Sequence, residues 1–476
     1  MKSIKITLFF LAFATITGCK TPIINKARAL KAIPESYSEN TIPDSTNTAN
    51  IQWKNYFKDQ NLVTLIDSAI VNNQDILMAM QRIQIAKSDV LLQRSALLPQ
   101  VDASVAGGVS RFGKYTSDGA GNAGTPIHRN ENIPTVLPDY FVGLQTNWEV
   151  DIWGKLKNKK RAATLRFLAG VEAKNVVLTN LIAEVAINYY ELIALDNRLD
   201  AVQEYLKLQE KALQIMKFQK EAAMVNRLAV EQFEANVVNS KAREIEISQE
   251  IIITENTINL LLGRFPQAIQ RTREVIDAEF GFATAIGIPS QLMQNRPDVR
   301  QAELELFAAK ADVKSAKAAF YPSLNIDGSI GFQAFRSKLL FSTPESVAYA
   351  IAGNLTAPLL NRRAIKAEFA MANATQIELL YNYQKTVITA FVEVNNQITS
   401  LQNIEKLLTL KMQEAAIYDQ SIETSLTLFK ANRANYLEVL LSQQNAIEAK
   451  MQLLDTKKDR LVNRVNIYKA LGGGWK

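Results

Sequence analysis

The side chains most often recruited for chemistry are nearly absent: among 476 residues there is one cysteine, Cys19, and one histidine, His128. A structural zinc site draws about four ligands from Cys, His and carboxylates, so its usual forms are excluded. A thiolate–imidazole nucleophile would need Cys19 to be free. No carboxylate dyad, Ser–His–Asp arrangement or phosphate loop is placed by spacing. Gly472-Gly473-Gly474 is followed only by Trp475 and Lys476, so no helix follows it to cradle a phosphate. His128 lies in a stretch rich in Gly, Asn and Pro and reads as an incidental loop residue. The expectation is no enzyme, no cofactor and no metal, with Cys19 as the one candidate for covalent modification.

Residues 1–19 read MKSIKITLFFLAFATITGC. Lys2 and Lys5 form a charged n-region, and Ile6 to Ile16 form an apolar core too short to cross a bilayer, which predicts a secretory signal peptide over 1–18. Ile16-Thr17-Gly18-Cys19 resembles the bacterial lipobox, in which the cysteine becomes the first mature residue and is acylated. The alternative is an ordinary signal peptide with a chance cysteine, but the chain's single Cys stands where the lipobox requires it. Lys20, in place of an aspartate, favours sorting to the outer membrane. Several acyl chains make a durable anchor. No later run of about 18 consecutive apolar residues occurs, so no transmembrane helix is expected.

The composition, 47% hydrophobic and 21% charged, bounds the rest. The formal charge is +7, and loss of Lys2 and Lys5 with the signal peptide leaves a mild excess of interspersed bases. Nucleic acid would call for a concentrated basic face, so it is not an expected partner. Only 19 glycines and 13 prolines interrupt the chain, which favours long elements.

Those elements come twice. Pro99 begins PQVDASVAGGVSRF and Pro322, about 220 positions later, begins PSLNIDGSIGFQAF, each after an Ala- and Lys-rich helical run. A loop and a second alternating run follow in each copy, Tyr140 to Trp153 and Val347 to Leu359. In these runs Leu324, Ile326, Ile330 and Phe332 share one face and Ser323, Asn325, Asp327 and Ser329 the other. The four runs, about 9 to 13 residues long, have the length a tilted strand needs to cross a bilayer. Aromatics near their ends, including Tyr140, Trp148, Trp153, Phe320 and Tyr321, suit an interfacial girdle. Half-buried strands of a soluble sheet would alternate too. Membrane strands must close into a barrel, and four cannot close around a useful lumen, so two, three or four copies would have to share one.

Each second strand leads through a basic cluster into a very long helical segment: Lys155 to Arg161 in one copy, Arg362 to Lys366 in the other. These clusters suit either anionic head groups or a solvated helix surface. Asn361 to Leu471 holds no glycine or proline, and Lys155 to Leu262 holds one glycine, Gly170. Helices of that length pack against one another as coiled coils. Each run must fold back once. The second turn is expected at Lys430 to Asn435, with Asn432 as the left-handed residue, leading into Tyr436. The first is expected at Glu221 to Asn226, where Ala223, Met224 and Asn226 offer no clear helix breaker.

The stretches ITGCK, VDIWGKLKNKKRAA from Val150, GIPSQLMQNRPDVRQAELELFAAKADVKSAKAAFYPSL from Gly287, NYLEVLLSQQNAIEAKMQLL and the ending NIYKALGGGW span nearly the whole chain in order. Together they resemble the TolC-like outer-membrane efflux channels, in the lipoprotein branch serving resistance–nodulation–division (RND) pumps. The resemblance implies a mainly α fold with a small β part: a homotrimer whose twelve-stranded outer-membrane barrel continues as a periplasmic α-helical barrel. It implies a passive exit duct for small molecules, partnered by a periplasmic adaptor (membrane-fusion) protein and an inner-membrane RND pump. Two other jobs fit parts of the pattern, a conduit for type I protein secretion and a lipid-anchored coiled-coil tether without a pore.

The expected division is a signal peptide 1–18, an anchored equatorial segment 19–59, a first repeat 60–262, an equatorial linker 263–290, a second repeat 291–471 and a tail 472–476. Strands are expected at about 99–112, 140–153, 322–335 and 346–359, and helices at about 60–98, 155–220, 226–262, 297–320, 361–429 and 435–470. The resemblance places a gate at the turns, with Ala223, Met224, Asn226, Asn432, Arg433, Ala434, Asn435 and Tyr436 as its candidates. Arg433 and Ala434 stand where a small apolar residue and an aspartate would be typical. Arg433 either lines the pore or makes an outward surface contact.

Overall fold

The computed structural model describes residues 34–37, 47–128, 131–277, 285–357 and 362–476. Cys19, the expected signal peptide and Asn361 lie outside the described residues. The main elements are α1 (Gln60–Asn72), α2 (Gln74–Ser95), β1 (Gln100–Ser110), β2 (Leu137–Val150), α3 (Lys155–Glu221), α4 (Arg227–Leu261), α5 (Pro297–Ala318), β3 (Ser323–Ala334), β4 (Val347–Thr356), α6 (Arg362–Lys430) and α7 (Tyr436–Ala470). The loop between β1 and β2 carries a short helix, Ser117–Gly124, and two short strands, Pro126–His128 and Glu131–Asn132.

Scarcity of helix breakers sets the lengths. α3 and α6 run for 67 and 69 residues, about 100 Å each at 1.5 Å per residue. α3 contains a window apolar enough for a membrane span, but 56% of that window is buried against the protein. Within α3, Leu181, Ile182, Val185 and Leu192 belong to a buried core.

Strand and helix ends shift by a few residues from the sequence expectation, and at two of the breaks a short polar side chain bonds the backbone locally. Residues 60–98 form two helices, because Asn73 is extended and its carboxamide oxygen accepts from Asp75 N and Ile76 N at 2.9 and 3.2 Å. One asparagine ends α1 and caps α2. β2 stops at Val150, leaving Ile152 and Trp153 outside the strand. There Asp151 accepts from Leu156 N and Lys157 N at 3.0 and 2.8 Å and starts α3.

The chain folds as two compact units, and neither is one of the sequence repeats. Among the described residues, one takes 85–167 and 304–380, and the other takes 34–84, 168–303 and 381–476, so each draws on both halves. The first unit holds an antiparallel sheet of order β1-β2-β3-β4, in which β2 pairs with β3 across the two halves.

The second unit holds the largest core, where Phe57, Leu62, Ile66, Tyr189, Leu192 and Ile193 are fully enclosed. Each contributes about 1.5–3 kcal/mol on burial. Tyr56 stacks on Tyr468 with ring centroids 4.2 Å apart, and the Tyr468 hydroxyl donates to Ile51 O at 2.6 Å. Thr48 N donates to Ala285 O at 2.9 Å. The N-terminal segment, the linker after α4 and the end of α7 thereby meet.

Candidate functional site

The register of the sheet sorts its side chains by chemistry. Directly opposed residues share a face, so Val101, Val105 and Val109 align with Tyr140, Val142 and Leu144, then with Ile330 and Phe332, then with Val347, Tyr349 and Ile351. Among the described residues this apolar face is largely uncovered: Val105, Tyr349 and Ile351 are each 82% exposed. The opposite face is polar. Asn147 and Asn354 both donate to the Asp327 carboxylate, at 2.5 and 2.9 Å, Gln100 donates to Asp102 at 3.1 Å, and Gln333 donates to Asp139 at 2.9 Å. No Lys or Arg occurs in the four strands. β1 and β4 end the sheet, each with one unpaired edge among the described residues.

One close approach was not legible in the sequence. Gly143 and Gly331 are opposite each other on the polar face, and a Cβ on either would lie 2.4 Å from a partner carbonyl oxygen and 2.6 Å from the other's Cα. Glycine in a strand commonly marks such close backbone approach.

The expected girdle aromatics fall at both ends of the strands. Tyr140 is near the loop end. At the helix end Trp148 donates its indole N–H to Leu97 O at 3.1 Å, and Trp153 donates to Pro322 O at 2.8 Å while stacking on Tyr321 at 4.9 Å. Phe320 meets Phe369 edge-on at 6.0 Å.

The two long-helix turns, both in the second unit, are built alike. In the second, Arg433 N donates to Leu428 O at 2.8 Å and Asn432 N to Phe429 O at 3.0 Å, with Asn432 at φ 56°. In the first, Met224 N donates to Gln219 O at 2.8 Å and Ala223 N to Lys220 O at 3.0 Å, with Ala223 at φ 57°. Both are helix ends closed by a left-handed residue. Each next helix is then capped by an asparagine: Asn226 accepts from Ala229 N at 2.9 Å and Asn435 from Glu438 N at 3.0 Å.

The turns pack into one cluster with Met216, Phe233, Phe429 and Val439 at its centre and Ala434 and Tyr436 against it. Lys217 pairs with Glu234 at 2.8 Å and holds that carboxyl below the usual range. Met224 and Arg433 are exposed at the turn tips.

The Arg296-Pro297-Asp298 stretch proves to be a clamp. Arg296 is 8% exposed and holds the Asp298 carboxylate at 3.0 and 2.6 Å, Glu393 at 2.7 Å and the Ala470 carbonyl, at the end of α7, at 3.0 Å. Burial works against its charge, but the two carboxylates outweigh it and raise the guanidinium pKa. Beyond it, Gly472 (φ 88°) passes against Asn295 O, where a Cβ would come within 2.5 Å. The Trp475 indole then donates to Asn295 O at 2.9 Å. Among the described residues no group of His, Cys, Asp and Glu could hold a metal ion.

The chain is similar to known proteins over nearly its whole length. The profile of the outer membrane efflux protein family matches residues 65–264 and 288–473. The cation efflux system protein CusC of Escherichia coli is 26% identical over 478 residues, all of both chains. The pyoverdine export outer membrane protein OpmQ of Pseudomonas aeruginosa is 29% identical over 428 residues, 89% of this chain and 87% of that one. The fold matches the crystal structure of the open state of the Neisseria gonorrhoeae MtrE outer membrane channel with a TM-score of 0.82 at 24% identity, over 95% of this chain and 98% of that one. With its two-faced sheet, paired long-helix turns and this two-part match, the chain belongs to the outer membrane efflux protein family.

Proposed function

We propose that three copies of this outer-membrane efflux protein close their four-stranded sheets into one twelve-stranded barrel, continued by a periplasmic barrel of the long helices. Repeats 60–262 and 291–471 each lend one hairpin per copy. The observation that carries this reading is a sheet with two open edges and an uncovered apolar face. In lipid every backbone group must be paired, so such a sheet needs neighbours on both sides. The polar face then lines a wet lumen. Exposed apolar residues along α2 and α6, among them Ile85, Leu92, Met371 and Ile417, supply faces that neighbouring copies would cover.

In this reading the chain does no chemistry and binds no cofactor beyond lipid on Cys19. It is the passive exit duct of a tripartite system, receiving small molecules from an inner-membrane RND pump through a periplasmic adaptor. The turns at Ala223 to Asn226 and Asn432 to Tyr436 are its periplasmic gate. Relatives named for cation efflux and for pyoverdine export fit a duct whose cargo is chosen upstream.

The test is to purify the acylated protein, measure its mass by native mass spectrometry and record conductance in planar bilayers. The expected result is a heat-modifiable trimer that conducts. A monomer, or a trimer without conductance, refutes the duct. Capture of an ABC-type transporter's adaptor in place of an RND adaptor assigns the duct to protein secretion.

A further inference from the structure

We propose that a basic belt at the helix end of the sheet is a docking surface for the phosphate head groups of anionic phospholipids in the leaflet facing the long helices. The proposal rests on the membrane-spanning barrel reading above. Topology supplies the belt. The register pairs Gln100 with Asn147, Val150 with Leu324 and Ser323 with Thr356, so one end of the sheet receives α2 and α5 and sends out α3 and α6. At that end five of the seven residues from Lys155 to Arg161 are basic and none is acidic. Exposed Lys157, Lys159 and Arg161 on α3 are joined by exposed Lys314 near the end of α5 and exposed Arg363 and Lys366 at the start of α6. The Ser315 hydroxyl donates to Lys155 O at 2.9 Å, which ties the α5 end to the α3 start.

Three observations select lipid as the occupant. The belt adjoins the apolar face, so a lipid whose chains cover Val101 and Leu355 would bring its phosphate to these cations. Trp153 stacked on Tyr321 marks the same level, and such amphipathic rings belong at the head-group boundary. The helix end keeps a basic excess over its own carboxylates, Glu149 (paired with Lys155 at 2.6 Å), Asp151, Asp312 and Glu368, whereas at the other end Arg111, Lys114, Arg336 and Lys338 are mixed with Asp118, Asp139 and Glu345. Because successive α-helical residues turn by about 100°, the basic run on α3 surrounds the helix and presents cations to any face that meets lipid.

The test uses the acylated full-length trimer in detergent with equal amounts of phosphatidylglycerol and phosphatidylcholine, read by native mass spectrometry and paired with bilayer conductance. The expected result is preferential retention of phosphatidylglycerol, eroded by salt. With each cation worth about fivefold near an anionic surface, the variant Lys157→Gln/Lys159→Gln/Arg161→Gln should lose at least tenfold of that preference and keep its conductance. Lys385→Gln/Lys406→Gln/Lys469→Gln, changed far along the helices, should keep both. A conducting wild type with no lipid preference, or with one that salt does not erode, overturns the belt alone. So does a belt variant that keeps the preference, or one that keeps its lipid and loses its periplasmic partner. A wild type that neither conducts nor retains either lipid overturns the barrel with it.

Discussion

Ala223 and Asn432 occupy the same left-handed position in the two turns, at φ 57° and 56°. A Cβ makes that conformation cost about 1–2 kcal/mol, a penalty asparagine partly offsets and alanine does not. Ala223→Gly should therefore stabilise the first turn by about 0.5–1 kcal/mol after the greater chain entropy of glycine is subtracted, read as a rise in the helical melting midpoint. Asn432→Gly should gain less. This asymmetry also explains what was legible: Asn432 announces the second turn, whereas nothing in Glu221 to Asn226 distinguishes Ala223 from an ordinary helical alanine. Arg296 was legible only as part of a resemblance, since its partners Glu393 and Ala470 are remote in sequence. Arg296→Ala removes charge-assisted bonds at a buried position and leaves the Ala470 carbonyl without this partner, so a loss of about 2–3 kcal/mol is expected by thermal denaturation. Arg296→Lys should recover less than half, because one ammonium cannot reproduce the planar fork.

The strands were visible as elements because period-two alternation is local, and each hairpin's two strands are neighbours along the chain. The pairing of β2 with β3 was not visible, since no turn joins them and the register between the halves is set only by which faces match. The close approach of Gly143 to Gly331 depends on that register, which is why two ordinary-looking glycines carry a constraint. Gly331→Val would put a branched side chain where a Cβ already lies 2.4 Å from the Val142 carbonyl oxygen. It should abolish the proposed heat-modifiable trimer. Gly353→Val on β4 is the matched control, because nothing lies within 4 Å of its Cβ position and trimer yield should stay near that of the unmodified protein. Equal yields from the two variants would show that the β2–β3 register differs from the one described.

Charge distribution gives the last test at the scale of the whole assembly. The strands carry carboxylates and no bases, whereas the second turn presents an exposed Arg433 and neighbouring Lys430. In the proposed trimer those turns would come together around one axis. Three guanidinium groups around one axis would repel one another, favour a splayed mouth and enrich anions near it. Arg433→Asp would exchange three positive for three negative charges, drawing the tips toward cations. The expected outcome is a reversal potential shifted toward cation selectivity under a salt gradient, with altered single-channel conductance. Screening sets the conditions: the Debye length is about 10 Å at 0.1 M salt and about 3 Å at 1 M, so the difference between Arg433→Asp and the unmodified channel should be large in dilute buffer and shrink in concentrated salt. Identical selectivity in dilute buffer would place Arg433 on the outer surface of the tip, and the carboxylates of the barrel would then set the charge preference alone.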